Sequence, residues 1–213
     1  MAETNADFNR PDPALIRRAA TFPSATLHEA MGRKGALPHD IKPIAPKMTL
    51  CGPALTVSCP PMDNLGIHRA IYLAEPGDVL VVSVGGGYEG GYWGEIMTFA
   101  AQQRKIAGLI IDGCVRDRDL IEEMGFPVFS RGLAIHGTIK KEKGVINSPL
   151  KIGEVLINPG DLLLGDSDGV VLVPLSEISQ AIEASQQRED KEDDYKKELA
   201  AGKSTLEIIG LKI

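Results

Sequence analysis

Cysteine is scarce in this chain, and its three copies form no pattern that would bind a metal or build disulfides. Cys51, Cys59 and Cys114 are odd in number, and no two of them form a CxxC pair. Disulfide frameworks and zinc sites both need cysteines paired at characteristic spacings. The sequence therefore excludes a disulfide-stapled scaffold and gives no support to a cysteine zinc site.

Motifs for nucleophilic and imine chemistry are missing as well. The four histidines are scattered, with no H-x-x-x-H pair, and no G-x-S-x-G elbow is present. No lysine stands alone in an apolar strand, where desolvation would lower its pKa for Schiff-base formation. These absences argue against a histidine metal pair, a serine nucleophile and covalent imine catalysis.

Long apolar runs and basic clusters are also missing. No apolar stretch reaches the roughly 20 residues that span a bilayer, and the polar start 1–12 lacks the regions of a signal peptide. The net charge is −6, without a patch rich in Lys and Arg, whereas nucleic acids and anionic membranes bind clustered basic surface. We therefore expect a cytoplasmic protein that binds neither nucleic acid nor membrane.

The apolar residues that are present suffice for one sizeable core, since they make up 43% of 213 residues. We expect a single domain over 1–213, with a core from about 15 to 175 and a charged terminal helix from about 176 to 200. In the first half, buried-strand patterns alternate with helical ones, which is typical of parallel β-α-β units. The predicted fold class is α/β.

The predicted elements follow from apolar periodicity, caps and turn residues. After the first two helices, the proline-rich stretch 38–53 is interpreted as an irregular connection, and a charged helix over 176–199 ends the pattern. The other predicted helices are 13–20, 24–31, 64–73, 95–104 and 117–124, and the predicted strands are 55–58, 79–84, 106–111, 128–129, 145–146, 155–157, 162–164 and 170–173.

Two glycine motifs resemble nucleotide-binding loops but lack part of the required pattern. The run 85–90 satisfies G-x-G-x-x-G, and Asp112 follows about 20 residues later, but the residues 91–94 delay the helix that a dinucleotide fingerprint requires. The run 202–205 resembles the end of a phosphate-binding loop, but its leading glycine is missing and it follows a helix rather than a strand. Neither motif predicts nucleotide binding.

The strand 106–111 delivers Arg116 and Asp117 to the point where a strand gives way to a helix, and open α/β sheets bind ligands at such strand ends. A carboxylate there can hold a hard cation, and a guanidinium can hold an anionic substrate. The alternative for this pair is a surface salt bridge that caps the next helix. Asp112 is interpreted as a turn-former, 118–119 as helix surface and Cys114 as a small buried residue.

The glycine loop 85–94 leads into the helix that begins with Glu95, Ile96 and Met97. Free backbone N–H groups at such a helix start can bind an anion. Because this helix and the one after Asp117 follow consecutive parallel strands, both starts can face one cleft. The alternative is that Glu95 only interacts with its helix dipole and that the glycines only make a turn.

Six segments, in order, resemble the 4-hydroxy-4-methyl-2-oxoglutarate/4-carboxy-4-hydroxy-2-oxoadipate aldolases, which share the RraA-like superfamily with the regulator of ribonuclease activity A. The resemblance covers roughly residues 15–200 and implies an α/β/α sandwich of the swivelling-domain kind. It also implies a homotrimer or a hexamer, with active sites between subunits. The segments are 24–32, 91–95, 110–117, 137–140, 159–161 and 168–171.

The resemblance also implies roles for individual residues. Asp117 would bind Mg²⁺ or Mn²⁺, and most of the other ligands of the metal would be waters. Arg116 would contact the keto and carboxylate oxygens of pyruvate. Backbone N–H groups after Gly94, those of Ile96 and Met97, would hold the substrate carboxylate. Glu95 stands where the family often has aspartate, near the proton-transfer water. Acids expected to complete the site across the subunit interface are Glu29 and Glu192.

The activity implied by the resemblance is a metal-dependent, class II pyruvate aldolase. It would cleave 4-hydroxy-4-methyl-2-oxoglutarate, 4-carboxy-4-hydroxy-2-oxoadipate or both, with oxaloacetate decarboxylation as a side activity and no organic cofactor. The alternative is a non-enzymatic regulator that binds ribonuclease E, as in the superfamily's other branch. Fold alone does not separate the two.

Overall fold

Parallel strands alternate with helices in the first half of the chain, as the periodicity predicts. The structure, a computed structural model, describes residues 8–211. Most of the polar start predicted to lack a signal peptide, 1–7, lies outside the described residues. The helices are α1 (Pro13–Ala19), α2 (Ser24–Ala30), α3 (Leu65–Leu73), α4 (Glu95–Gln103), α5 (Arg118–Glu123), α6 (Ile178–Ala200) and α7 (Thr205–Ile208).

One sheet carries the fold, in the order β1-β5-β4-β3-β2-β9-β10, with β6 also paired to β2. The strands β2, β3, β4 and β5 are parallel neighbours, whereas β9 and β10 add in antiparallel fashion. This mixture confirms the predicted α/β class. The strands are β1 (Lys42–Pro43), β2 (Leu50–Ser58), β3 (Val79–Ser83), β4 (Gly108–Val115), β5 (Val128–Leu133), β6 (Val145–Ile146), β7 (Leu150–Ile152), β8 (Val155–Ile157), β9 (Leu162–Asp166) and β10 (Gly169–Val173).

The sheet curls until it is nearly closed like a barrel. A Cβ atom at Gly165 on β9 would lie 2.8 Å from the ring of Phe129 on β5, although three strands separate β9 from β5. The two edges also approach each other, because the Lys42 amine on β1 donates to the backbone oxygen of Asp168, just before β10. The absence of a side chain at Gly165 lets this aromatic ring fill the interior.

A second apolar layer lies outside the sheet, where α1, α2 and α6 cover β9 and β10. Only the first half of α6 takes part: Ile178, Ala181, Ile182 and Ser185 are its buried residues. The predicted terminal helix is thus confirmed, with a start at Ile178 after a 3₁₀ turn, Leu175–Glu177. None of the helices within 8–211 is long and apolar enough to cross a membrane.

Parts of the predicted pattern are wrong. The stretch 38–53, predicted to be irregular, contains β1 and the first four residues of β2. Pro53 fits inside β2 because β3 pairs with β2 only from Ala54 onwards, so Pro53 has a strand neighbour, β9, on one side only. The strand predicted over 106–111 is displaced, since β4 runs on to Val115.

Candidate functional site

A β-bulge lies in β4 just before the Arg116–Asp117 pair. Ile111 pairs with Ser130 and Cys114 with Gly132, so two residues of β4, 112 and 113, face one residue of β5. Such bulges are frequent beside functional sites, where they change the direction of the side chains that follow. The bulge ends immediately before the strand delivers Arg116.

Asp117 adopts a left-handed backbone conformation, with φ of 58°, and the helix predicted to begin there begins one residue later, at Arg118. Aspartate is among the few residues that tolerate this region. The turn directs its side chain to α4, where Oδ2 accepts the Glu95 N–H at 3.1 Å and lies 3.7 Å from Arg116 Nε. The carboxylate therefore joins the starts of two helices.

The glycine loop 85–94 pairs with the end of β4. Tyr92 N–H donates to the Cys114 oxygen at 3.0 Å, and Arg116 N–H donates to the Trp93 oxygen at 2.9 Å. A Cβ atom at Gly94 would lie 2.3 Å from Asp117 Oδ2. Gly94 is therefore needed for the close approach of the Asp117 carboxylate. This steric requirement is more specific than the alternative that the glycines only make a turn.

Helix α4 begins at this contact. The Thr98 N–H donates to the Gly94 oxygen at 3.0 Å, and Thr98 Oγ1 accepts from Trp93 Nε1 at 2.7 Å, which fixes the first turn. The Glu95 N–H is bound to Asp117, whereas those of Ile96 and Met97 have no acceptor within 8–211. Two N–H groups at the positive end of the helix dipole are thus available for an anion.

These groups open into one cleft of about 240 Å³. The sequence predicted that the Arg116–Asp117 pair and the start of α4 would meet, and the structure brings them together on one wall. The start of α3 with its cap and the segment 137–140 also line the cleft. Residues that line the cleft include Asn64, His68, Gly94, Ile96, Met97, Arg116, Asp117, Thr138 and Lys140.

Two of the lining residues, Asn64 and His68, were not among the predicted site residues. Asn64 Nδ2 donates to the Tyr92 oxygen at 2.9 Å, but Asn64 Oδ1 and His68 Nε2 are buried without a partner among the described residues. Burial, and to a smaller extent the charge of Lys140, lowers the pKa of His68. Their i, i+4 spacing, at the cap and in the first turn of α3, was the available signal.

The three glutamates predicted to belong to the site, Glu95, Glu29 and Glu192, differ in their position relative to the cleft. The Glu95 side chain is exposed and forms no ion pair or hydrogen bond within the part of the chain that the structure describes. Glu29 on α2 and Glu192 on α6 are not among the lining residues; both contact Arg188, at 3.7 and 2.9 Å. Their expected place at a neighbour's site stays a prediction.

Asp112 is not a turn-former, so that interpretation is wrong. It lies inside β4, and Arg131 Nε and the Tyr88 hydroxyl donate to its Oδ1. Cys114 is buried, and burial raises the pKa of its thiol, so it is the small buried residue that the sequence suggested. Arg118 and Asp119 lie on the surface of α5, with Arg118 also bound to the Ile44 oxygen.

Asp117 is the carboxylate of the cleft that the resemblance assigns to a divalent cation. Within 8–211, no three His, Cys, Asp or Glu side chains cluster as a metal site. Asp117 Oδ2 is hydrogen-bonded, and no contact to Oδ1 is seen in the same residues. A single carboxylate with a free oxygen fits Mg²⁺ or Mn²⁺, since Mg²⁺ usually keeps several waters and takes one or two protein carboxylates.

The chain is similar in sequence to a known family. The model of the RraA-like family, described as Aldolase/RraA, matches residues 24–172. The chain belongs to the RraA-like family. A proposed 4-hydroxy-4-methyl-2-oxoglutarate aldolase of Halalkalibacterium halodurans is 32% identical to this RraA-like chain over 208 residues, which cover 98% of this chain and 95% of that protein.

Two solved structures share the fold. An uncharacterized protein from Pseudomonas syringae superposes with a TM-score of 0.83 at 27% identity, over 95% of each chain. A Streptomyces coelicolor protein, described as an unusual member of the RNase ES inhibitor RraA family, superposes with a TM-score of 0.80 at 27% identity and covers 89% of this chain and 99% of that one.

Proposed function

We propose that this RraA-like protein is a divalent-metal-dependent pyruvate aldolase. Its substrates would be 4-hydroxy-4-methyl-2-oxoglutarate, 4-carboxy-4-hydroxy-2-oxoadipate or both, and its products pyruvate with a second pyruvate or oxaloacetate. The observation that carries the proposal is the convergence in one cleft of the Arg116 guanidinium, the Asp117 carboxylate and the free N–H groups of Ile96 and Met97. The aldolase names of relatives support it.

Asp117 would hold the cation through Oδ1, with waters and substrate oxygens as the other ligands. When bound, Mg²⁺ or Mn²⁺ supplies Lewis-acid polarisation of the 2-oxo acid. Because Asp117 Oδ2 is already engaged by Glu95 N–H, the carboxylate is oriented before any ligand arrives. A carboxylate oxygen suits both Mg²⁺ and Mn²⁺.

Substrate binding uses the start of α4 and Arg116. The N–H groups of Ile96 and Met97 would donate to the carboxylate of the 2-oxo acid, where the helix dipole favours negative charge. The Arg116 guanidinium, whose side chain is 47% exposed, can turn into the cleft and donate to the keto oxygen. These contacts leave C3 and C4 of the substrate directed away from the helix start.

Cleavage needs a base at the C4 hydroxyl. A water held by the Glu95 carboxylate would take that proton, and the C3–C4 bond would break with its electron pair passing to C3. The products are the enolate of pyruvate and a keto acid formed from C4. Arg116 compensates for the enolate oxygen's charge, and protonation at C3 yields pyruvate. Loss of CO₂ from oxaloacetate gives the same enolate, so decarboxylation is an expected side activity.

A pyruvate-coupled assay tests the proposal. Purified protein with Mg²⁺ or Mn²⁺ should release pyruvate from at least one 4-hydroxy-2-oxo acid and from oxaloacetate, and a chelator should abolish the release. Added Mg²⁺ or Mn²⁺ should restore it, which separates metal loss from unfolding. No pyruvate from any of these substrates, with either metal, would contradict the proposed activity.

We also propose that the protein works as a cytoplasmic homotrimer or hexamer, in which Glu29 and Glu192 reach a neighbour's cleft. Large apolar side chains are exposed around the cleft, among them Ile96 at 77% and Ile135 at 90%. Contiguous exposed apolar surface marks interaction sites. Sedimentation at micromolar concentration should therefore give three or six chains, and a monomer would contradict this assembly.

A ribonuclease regulator is the second candidate, favoured by the structural likeness to the Streptomyces coelicolor protein described as belonging to an RNase inhibitor family. The exposed, charged second half of α6 would be available for such a partner. Capture of ribonuclease E at a salt concentration that suppresses charge-driven contacts, together with no pyruvate release, would favour the regulator. Pyruvate release without capture would favour the aldolase.

A further inference from the structure

The glycine loop 85–94 is held from two sides by its own tyrosines. On the inner side, Tyr92 is fully buried; its hydroxyl donates to the Gly87 oxygen at 2.8 Å and accepts the Met62 N–H at 2.6 Å. A Cβ atom at Gly87 would lie 2.5 Å from that hydroxyl. The inner side is therefore closely packed and leaves the loop little freedom there.

On the outer side, the loop is held by three residues that we call the loop clamp: Tyr88, Asp112 and Arg131. The Arg131 guanidinium carbon lies 4.9 Å from the centroid of the Tyr88 ring, and the Tyr88 hydroxyl donates to Asp112 Oδ1 at 3.3 Å. Partial desolvation, with a smaller effect of the Asp112 carboxylate, raises the pKa of Tyr88. Arg131 also binds Asp112 and Asp40.

The loop clamp is built on the β-bulge. Asp112 belongs to the two bulged residues of β4, and Arg131 is the residue of β5 that faces them. The side chains are 12% and 18% exposed, so the ion pair is shielded from water. A shielded pair of this kind costs desolvation and is not explained by stability alone. Tyr88 links this pair to the loop, through Asp112 Oδ1 and the Arg131 guanidinium.

The loop in turn positions the candidate site. Three residues after Tyr88, the chain reaches β4 through a bridge between Gly91 and Cys114. The Gly91 N–H also donates to the His136 oxygen, beyond the end of β5, at 2.8 Å. Trp93 then accepts the Arg116 N–H, and Gly94 lies against the Asp117 carboxylate. A shift of the loop would therefore move both Arg116 and the free N–H groups of α4.

We propose that Tyr88, Asp112 and Arg131 are positioning residues that hold the glycine loop in the geometry that binds the substrate carboxylate. They touch neither the substrate nor the cation and act through the loop. The kinetic consequence of the clamp rests on the proposed aldolase function, whereas the mechanical consequence, a restrained loop, does not. The two parts can therefore be tested separately.

The experiment compares Tyr88→Ala and Tyr88→Phe with a matched control, Tyr72→Ala. Tyr72 is also an exposed tyrosine beneath an arginine, with Arg104 at 5.9 Å from its ring centroid, but it lies on α3, outside the loop. Hydrogen exchange of peptides from 85–94 reports loop opening. The pyruvate-coupled assay reports KM and kcat separately, and the melting temperature reports global stability.

We expect Tyr88→Ala to speed hydrogen exchange in the loop about three- to tenfold, the loss expected for one partly shielded cation–π contact. KM for the 2-oxo acid should rise by a similar factor, with a smaller change in kcat, because the contacts that bind the carboxylate are displaced. Tyr88→Phe keeps the ring on Arg131 and should recover most of the loss. Tyr72→Ala should leave loop exchange and KM unchanged.

The proposal would be overturned if Tyr88→Ala left loop exchange within twofold of the parent, or if Tyr72→Ala accelerated it equally. Faster exchange with an unchanged KM would overturn the positioning role while leaving the aldolase intact. If the parent released no pyruvate, the aldolase proposal would fail, and loop exchange together with the Phe rescue would still decide whether the clamp restrains the loop.

Discussion

The cleft beside Arg116 and the acidic cluster around Arg188 both contain polar side chains, but these side chains differ in burial and in hydrogen bonding. In the cleft, Asn64 Oδ1 and His68 Nε2 are buried without partners in the described residues. Around Arg188, by contrast, Glu192 is paired at 2.9 Å and Glu29 is also bound by Arg33 at 3.1 Å. Buried polar groups without partners are costly and point to a ligand, whereas exposed ion pairs do not.

The largest expected effect on activity is that of replacing Asp117, compared with replacing the neighbouring surface residue Asp119. Asp117→Ala should lower metal-dependent pyruvate release by about 100- to 1000-fold, the usual loss when one electrostatic stabiliser of a transition state is removed. Asp119→Ala is the matched control, since its side chain is 85% exposed and, among residues 8–211, its ion-pair partner is Arg118. Full activity in Asp117→Ala would contradict the proposal that Asp117 binds the metal. The functional distinction between the cleft and the acidic cluster would then be lost.

A second variant tests the close approach within the cleft. Gly94→Ala places a Cβ atom 2.3 Å from Asp117 Oδ2, so the carboxylate must move. We expect an activity loss of about 100-fold, typical of a displacement of about 1 Å in a site, with little change in the circular dichroism spectrum. Gly132→Ala is the control, because its Cβ would meet only Cys114 Sγ at 3.8 Å. Equal effects of both variants would show that glycine geometry at Gly94 is not specific to the site.

The acidic cluster is tested by mixing variants. If Glu29 and Glu192 complete a neighbour's site, Glu192→Ala should lose about 10- to 100-fold of the activity, as for residues that support a metal site from its surroundings. Chains with Asp117→Ala and chains with Glu192→Ala, reassembled together, should then recover activity that neither has alone. A mixture no more active than its separate components would place the acids outside the site.

The smallest effect concerns His68. Because its folded pKa is lowered below the usual 6.5, the unfolded chain binds the proton first as the pH falls. Its contribution to stability is therefore present above about pH 6.5 and lost below it, by less than about 1.4 kcal/mol per pH unit, the limit for one proton. Urea unfolding at pH 7.5 and 5.5 should show a smaller decrease for His68→Gln than for the parent. An equal decrease would indicate that His68 does not titrate in this range.

Much of the first half of the fold could be predicted from the sequence, because buried parallel strands are continuous apolar runs and helices have clear caps. The bounds of α1, α2, α3 and α4 are within about two residues of the prediction. The strand residues within 38–53 could not be predicted. A proline at position 53 is compatible with β2 because β3 pairs with β2 from the next residue, Ala54, onwards. Likewise, the sequence pattern of residues 106–115 does not predict the bulge, because the bulge arises from the pairing of β4 with β5.

By itself, the sequence determined that Arg116, Asp117 and the start of α4 follow consecutive parallel strands and can face one another, because the carboxyl ends of such strands meet at one edge of a sheet. Only the tertiary structure decided that Asp117 would turn back to bind Glu95 N–H, that Asn64 and His68 would line the same cleft, and that Arg131 would reach Tyr88 across the bulge. Each of these contacts joins residues 22 or more positions apart or depends on which strands are neighbours, and a local sequence pattern contains no such information.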